Sequence, residues 1–138
     1  MDTNKLREIF KRDRFAALTG LQIDSMTAEE VVCSLRIDDR HLNAGDKAHG
    51  GVIFTLADFT FGVACNYDDL MANLDNASVS QSSNIVFLKT PVGERLIARS
   101  EILRQGRKIS VYRIVVTDEQ GTAVAEVTST AYRITPEV

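Results

Sequence analysis

The chain contains no tryptophan, two prolines, two histidines and two cysteines among its 138 residues. The cysteines, Cys33 and Cys65, lie far apart and outside any CxxC or clustered-histidine motif, so no zinc site is expected. A disulfide between them stays open but has no support in the pattern. The expected cofactor requirement is none.

Long hydrophobic runs are also missing. No apolar stretch approaches the roughly 20 residues that a transmembrane helix needs. The N-terminal segment, MDTNKLREIFKRDRF, is charged throughout and lacks the apolar core of a signal peptide. We therefore expect a cytoplasmic protein with reduced thiols and no membrane partner.

The chain has no excess of basic residues, with a formal net charge of −3 and a pI of about 5.4. Nucleic-acid binding usually requires a basic surface, so nucleic acid is not an expected partner. A small anionic ligand could still be held by a few lysines or arginines. The length, 138 residues, fits a single domain that buries its own core without a metal or disulfide.

The first part of the chain predicts a helix followed by a hairpin. Apolar residues recur at helical spacing over about residues 3–18, which predicts an amphipathic helix packed on the outside of the domain. The alternative is a solvated N-terminal arm. Residues 20–38 alternate apolar and polar side chains on either side of a polar break at 27–30, which predicts two strands.

The middle of the chain changes abruptly from polar to apolar. Residues 41–51 are polar and glycine-rich, which is typical of a loop. Residues 52–65 are apolar on every helical face, so they predict a core helix surrounded by protein. The polar segment 67–76 predicts a further loop with a short helical turn at about 70–74.

Four long strands are predicted after this loop, over residues 78–89, 94–104, 107–117 and 123–134. Hairpin signals lie at 105–106 and 118–121, and short connections favour antiparallel neighbours, so we expect a β meander. Strands grouped beside a segregated helix indicate the α+β class. A long antiparallel sheet wrapped around the apolar helix is the simplest arrangement that buries every face of that helix.

Asp58 is the one carboxylate inside the apolar run. Burial would raise its pKa and favour a role as general base or nucleophile. The alternative is a structural aspartate held by backbone amides or by Thr55. Burying a charge is costly without a partner or a function.

The loop and the helix meet at His49, Gly50 and Gly51. The first amides of a helix lack acceptors within the helix, and glycine lets a ligand approach them closely, which suits an oxyanion hole. The alternative is a Gly–Gly turn that His49 merely caps. Asn43 and His41 are equally open to a structural or a functional role.

These residues resemble a known family, the hotdog-fold acyl-CoA thioesterases of the phenylacetate-degradation type. The similarity extends over about residues 15–133 and includes the segments 78–88, 91–94 and 106–107. The resemblance rests on the spacing of His41, Asn43, His49, Gly50 and Gly51, followed by Leu56, Ala57 and Asp58.

The resemblance implies an α+β hotdog fold, a long central helix wrapped by an antiparallel sheet. We expect residues 1–138 to form this one domain, with residues 1–19 as a helix packed on it. It implies hydrolysis of an aromatic or medium-chain acyl-CoA to the free acid and CoA. Asp58 matches the catalytic carboxylate, which attacks the thioester or activates water. The amide of Gly50 matches the group that polarises the thioester carbonyl.

Further roles follow from the same resemblance. Residues matching Asn43 and His49 orient the substrate or the water. Some members use a hydroxyl on the strand after the helix, a place for Ser80 or Ser82, of which we choose Ser80. Members are homodimers or homotetramers with sites at the interface, so Asp58 is expected to act with Gly50 of a second copy.

The substrate contacts are predicted more broadly. The CoA phosphates need a local basic patch, and the cations available near strand ends are Lys89, Arg104, Arg107 and Lys108, although such residues are often just solvated. The acyl group needs an apolar pocket near the central helix, and Phe54, Phe59, Phe61 and Phe87 are available there or to the core. Two alternatives remain: a hotdog hydratase acting on acyl thioesters, and a module that binds acyl-CoA without turnover.

Overall fold

The computed structural model describes residues 2–73 and 77–134. These residues form helices α1 (Thr3–Phe10), α2 (Arg14–Thr19) and α3 (Gly50–Met71), and a 3₁₀ turn at Asp39–His41. The strands are β1 (Gln22–Met26), β2 (Val31–Arg36), β3 (Ser78–Phe87), β4 (Arg95–Gln105), β5 (Ile109–Thr117) and β6 (Ala123–Arg133). Met1, residues 74–76 of the predicted loop and the end of the predicted domain, 135–138, lie outside the described residues.

The strands build one antiparallel sheet in the order β1-β2-β4-β5-β6-β3. Helix α3 packs against all six of these strands. The predicted α+β class and the central helix packed on an antiparallel sheet, both features of the hotdog fold, are confirmed. None of the helices within residues 2–73 and 77–134 is long and apolar enough to cross a membrane.

The N-terminal segment forms two helices rather than the predicted single one. The break between them lies before Asp13, which starts the second helix. Its Oδ1 accepts a hydrogen bond of 2.9 Å from the amide of Ala16 and so caps α2. Gly20, with φ of 92°, then ends α2 in a left-handed conformation. The segment packs on α3, where the rings of Phe10 and Phe59 meet edge to face at 6.1 Å.

Helix α3 is longer than predicted at both ends. At its start, the Nδ1 of His49 accepts from the Gly51 amide at 2.8 Å, so the helix begins at Gly50 rather than at Val52. At its end, the helix continues through polar residues that form hydrogen bonds with the sheet. Asn66 Nδ2 donates to the Ser78 carbonyl at 3.1 Å. Within the predicted loop, Asp69 Oδ1 accepts from Arg133 Nη2 of β6 at 2.9 Å, so polar side chains there serve helix–sheet contacts.

The predicted meander is correct for β4, β5 and β6 and wrong for β3. Strand β3 pairs with β6 at the opposite edge of the sheet, while β4 pairs with β2. The connection between β3 and β4 therefore crosses the end of the sheet. It is anchored by the buried carboxylate of Asp118, which accepts hydrogen bonds of 3.0 Å from the Val92 amide and from Lys89 Nζ. The Val92 amide, and then Lys89, lower the pKa of Asp118 to about 2.

Contrary to the prediction from the apolar composition, a single chain does not surround every face of α3. Leu56 and Phe61 are buried beneath the helix against the sheet. Asp58, however, is exposed, and a Cβ at Gly62, one turn further on, would meet no atom of the described chain within 4 Å. The sheet covers one side of α3 and the N-terminal helices another, so a face through residues 58 and 62 stays open.

Candidate active site

The carboxylate of Asp58 is available for chemistry. Within the described ranges it accepts no hydrogen bond and forms no ion pair, and its side chain is exposed rather than buried as the sequence suggested. The structural partner considered for it is engaged elsewhere, since Thr55 Oγ1 donates to the Gly51 carbonyl at 2.7 Å. An unpaired carboxylate on an open helix face is a suitable base or nucleophile.

Two effects make Asp58 a stronger base. Partial desolvation raises its pKa, and the negative charge of Asp13 raises it further. The sequence did not point to Asp13 as part of the site. In the sequence, Asp13 stands before a short apolar segment, a pattern that indicates a helix N-cap but does not indicate proximity to Asp58.

His49, Gly50 and Gly51 form the start of α3. His49 Nδ1 accepts a hydrogen bond from the Gly51 amide, so this nitrogen carries no proton and the ring N–H is on Nε2. The His49 side chain is exposed. The Gly50 amide finds no acceptor among residues 2–73 and 77–134. A free N–H with the positive end of a 22-residue helix behind it suits a developing oxyanion.

The amide of Gly50 and the carboxylate of Asp58 in one chain are too far apart to contact a single thioester group. They lie eight residues apart on α3, and a helix rises about 1.5 Å per residue, so their backbones are separated by roughly 12 Å along the axis. Both groups would need to contact the same thioester at about 3 Å. A single chain does not bring them together.

His41 is a structural residue. It is buried, its Nδ1 accepts from the Asp38 amide at 2.9 Å, and its Nε2 donates to the Thr19 carbonyl at 2.7 Å. Its own carbonyl accepts from the His49 amide at 2.8 Å. His41 thus ties the end of α2 to the residue that caps α3.

Asn43 shapes the loop before α3. Its Oδ1 accepts from the amides of Gly45 and Lys47, at 2.9 and 3.2 Å. Its backbone also pairs with Lys47, so the residue closes a turn. The Oδ1 is occupied, and the exposed Nδ2 is the part of Asn43 that stays available to a ligand.

Comparisons with known proteins identify the family of the chain. The thioesterase superfamily model matches residues 45–125, which span the start of α3 and Asp58. The chain belongs to the thioesterase superfamily. It is a thioester hydrolase, and the predicted family is confirmed.

Individual relatives support the same assignment. The chain is 31% identical to acyl-coenzyme A thioesterase PaaI of Escherichia coli K12, over 91% of this chain and 86% of that one. It is 25% identical to human acyl-coenzyme A thioesterase 13, over 85% of each. The solved structure of the E. coli PaaI protein superimposes with a TM-score of 0.82 at 29% identity, covering 93% of this chain and 89% of that chain.

Ser80 lies on the exposed edge strand of this thioesterase. Its Oγ is 3.3 Å from Ser83 Oγ, which in turn lies 2.8 Å from Ser129 Oγ. The pairing of β3 with β6 shifts register between Ser80 and Ser82, so the two candidate serines flank an irregularity. Both side chains are exposed.

The predicted CoA-binding cations of the thioesterase do not form one patch within a chain. Lys89 pairs with Asp118, near the β5–β6 turn. Arg107 and Lys108 are exposed in the β4–β5 turn, close to the C-terminal end of α3. Arg107 lines a cleft of about 70 Å³ whose wall also holds Asp68 and Asp69, so charges of both signs meet there.

The four phenylalanines proposed for the acyl pocket have separate places. Phe61 is core, with its ring 5.7 Å from that of Tyr112, and Phe54 is half-buried. Phe59 lines a cavity under the N-terminal helices, and Phe87 lies against Gly50. Across the described ranges, no three His, Cys, Asp or Glu side chains are grouped as metal ligands.

Proposed function

We propose that this thioesterase hydrolyses aromatic or medium-chain acyl-CoA at sites that two copies of the chain complete together. The observation that carries the proposal is the separation of roughly 12 Å between Gly50 and Asp58 on one helix, both without partners in the described chain. A two-fold dimer contains two sites, each with Asp58 of one copy and Gly50 of the other. Residues 1–138 act as one hotdog domain in this scheme.

The chemistry follows from these two groups. The Asp58 carboxylate either attacks the thioester carbon to form an anhydride, which water then hydrolyses, or removes a proton from the attacking water. The Gly50 N–H stabilises the oxyanion of the tetrahedral intermediate, and CoA leaves as its thiolate. The free Nε2–H of His49 and the Nδ2 of Asn43 orient the substrate or the water. Ser80, or Ser82 in its place, adds a hydroxyl.

The choice of acyl-CoA is supported by the relatives, two of which are named acyl-coenzyme A thioesterases. Arg107 and Lys108, exposed and with no side-chain partner in the described part of the chain, are the proposed contacts for the CoA phosphates. Lys89 could add to them only while sharing its charge with Asp118.

The exposed edge of the sheet supports dimerisation. One edge of β3 has no partner strand within the described chain, and an unpaired edge is a ready site for a second strand. Four apolar side chains near this edge are about half exposed: Val79, Val86, Phe87 and Leu88. Because Phe87 lies against Gly50, a copy docked on β3 comes close to the oxyanion site. The proposed assembly is a homodimer or a dimer of such dimers.

Complementation between two inactive variants tests the shared site. Asp58→Asn removes the carboxylate, and Gly50→Pro removes the amide proton at the first helical position, which proline tolerates. Each variant alone is expected to lose roughly 10²–10⁴-fold in kcat, by thiol release from an acyl-CoA panel. When equal amounts of the two variants are dissociated, mixed and reassociated, half of the dimers contain one copy of each variant. Each of these mixed dimers has one intact site out of two, so about a quarter of the wild-type activity returns.

The outcomes separate the alternatives. Activity that stays absent in the mixture, while both variants fold and associate, means that each chain builds its own site. Near wild-type turnover by Asp58→Asn would remove the carboxylate from the mechanism. Binding of acyl-CoA by the wild type without thiol release would make the protein a non-catalytic module.

A further inference from the structure

A cavity of about 330 Å³ lies between the N-terminal helices, α3 and the start of β1. This volume is at the lower end of the range for small-molecule sites, about 300–1,000 Å³. Six apolar residues line it: Phe10, Ala16, Ala17, Leu21, Ile23 and Phe59.

The charged residues in the cavity wall are satisfied by the chain itself. The guanidinium of Arg7 donates to backbone carbonyls of β1. Lys11 pairs with Glu8 at 2.9 Å, and Asp13 accepts from an amide in the first turn of α2 at 2.9 Å. Each charged side chain in the wall thus has a hydrogen-bond or ion-pair partner within the chain, and the apolar remainder of the lining suits an uncharged apolar group.

The cavity lies beside the proposed catalytic carboxylate. Phe59, in its wall, follows Asp58 directly on α3. Asp13, also in the wall, lies close enough to Asp58 for its negative charge to add to the desolvation that raises the pKa of Asp58. A thioester bound at Asp58 could therefore extend its acyl chain into this apolar cavity.

We infer that this cavity holds the acyl chain of the substrate and that it favours a medium-length aliphatic chain over a short or single-ring acyl group. The inference rests on the proposed function, which puts the thioester at Asp58. Size decides between the acyl classes: a protein cavity of about 150 Å³ already encloses benzene, so 330 Å³ leaves room for a longer chain. The N-terminal helices then act as the specificity element.

Filling the cavity tests this assignment. Ala17 is exposed at the helix surface yet lines the cavity, so Ala17→Phe adds a ring there without displacing the core. The kcat/KM for octanoyl- and decanoyl-CoA is expected to fall at least about tenfold, because several methylenes lose their apolar contacts. The values for acetyl- and propionyl-CoA stay within about twofold, and Ala17→Leu gives an intermediate profile. Ala28→Phe, in the exposed β1–β2 turn, is the matched control and leaves the profile unchanged.

A binding measurement separates this inference from the proposed function. Calorimetry with fatty acids from butanoate to dodecanoate is expected to show affinity rising roughly threefold to fourfold per methylene in the wild type, and no such rise in Ala17→Phe. A rise without turnover of any acyl-CoA refutes the proposed function and keeps the cavity assignment. A wild-type profile that is flat with chain length in both assays, or an equal loss for all chains in Ala17→Phe, overturns the assignment.

Discussion

The ring of Phe87 lies against Gly50, so that a Cβ on Gly50 would stand 3.1 Å from Cζ of Phe87. This contact joins the end of the exposed edge strand β3 to the first residue of α3. It places an aromatic ring, 53% exposed, next to an amide that has no acceptor in the described chain. The proposed oxyanion donor and the proposed dimer edge therefore meet at one point.

Two substitutions at Gly50 distinguish loss of its N–H from the steric effect of an added side chain. Gly50→Pro removes the N–H, and the extended conformation of His49, with ψ of 135°, is compatible with a following proline. We expect kcat to fall roughly 10²–10³-fold. Gly50→Ala keeps the N–H and adds only the Cβ, which the exposed Phe87 ring can accommodate, so kcat falls far less. Equal losses in the two variants would exclude the amide as the oxyanion donor.

The charge of Asp13 is expected to set part of the pH dependence. Asp13 raises the pKa of Asp58, and activity requires the ionised Asp58, so the rate falls as pH drops through that pKa. Asp13→Asn removes the negative charge, lowers the pKa of Asp58 and shifts the acidic limb of kcat/KM to lower pH. Asparagine caps a helix as well as aspartate does, so α2 stays intact.

Asp2→Asn provides the matched control for that shift. Asp2 caps α1 in the same way, with a hydrogen bond of 2.9 Å from the Lys5 amide, and it is not among the groups that act on Asp58. Its pH profile is expected to match the wild type. A profile that moves equally in both variants, or in neither, contradicts the role of Asp13.

The β4–β5 turn is expected to contribute to binding of the CoA phosphates. Replacing Arg107 and Lys108 together with glutamine should raise KM for acyl-CoA several-fold, since an exposed ion pair contributes at most about 1 kcal/mol. KM for the matching acyl-pantetheine, which lacks the nucleotide, should not change. The effect should shrink at high salt. Arg99→Gln, at an exposed residue of β4 near Glu30, is the control. If the double variant changed KM equally for acyl-CoA and acyl-pantetheine, phosphate contacts at this turn would be excluded.

The crossover between β3 and β4 is expected to be acid-sensitive. The pKa of Asp118 is lowered to about 2 in the folded protein, against about 3.9 in an unfolded chain. The ionised carboxylate therefore stabilises the fold above about pH 4, and this contribution is lost as pH falls to about 2. Between these values the melting temperature of Asp118→Asn should fall less steeply than that of the wild type. At pH 7 the variant should melt several degrees lower, and parallel pH curves would contradict this account.

Much of the architecture was predictable because it depends on short-range periodicity. The alternation over residues 107–117 placed β5 to within two residues, and three neighbouring antiparallel strands followed from their short turns. The motif from His41 to Asp58 resembled that of a thioesterase family, and the superfamily match over residues 45–125 confirms the family. The boundaries of α3 were less predictable, because the Nδ1 of His49 and the sheet contacts of Asn66 extend it through polar residues.

The sequence by itself determined the α+β class, the central helix and three of the five pairings between neighbouring strands, and it supplied the residues proposed for the site. Tertiary structure decided the rest. It moved β3 to the far edge through the crossover at Asp118, and it left Asp58 exposed on an open face with Asp13 nearby. Periodicity shows which side of a strand or helix is apolar. Which element covers that side, and how far apart two groups on one rigid helix stand, depends on long-range contacts and geometry that local patterns do not contain.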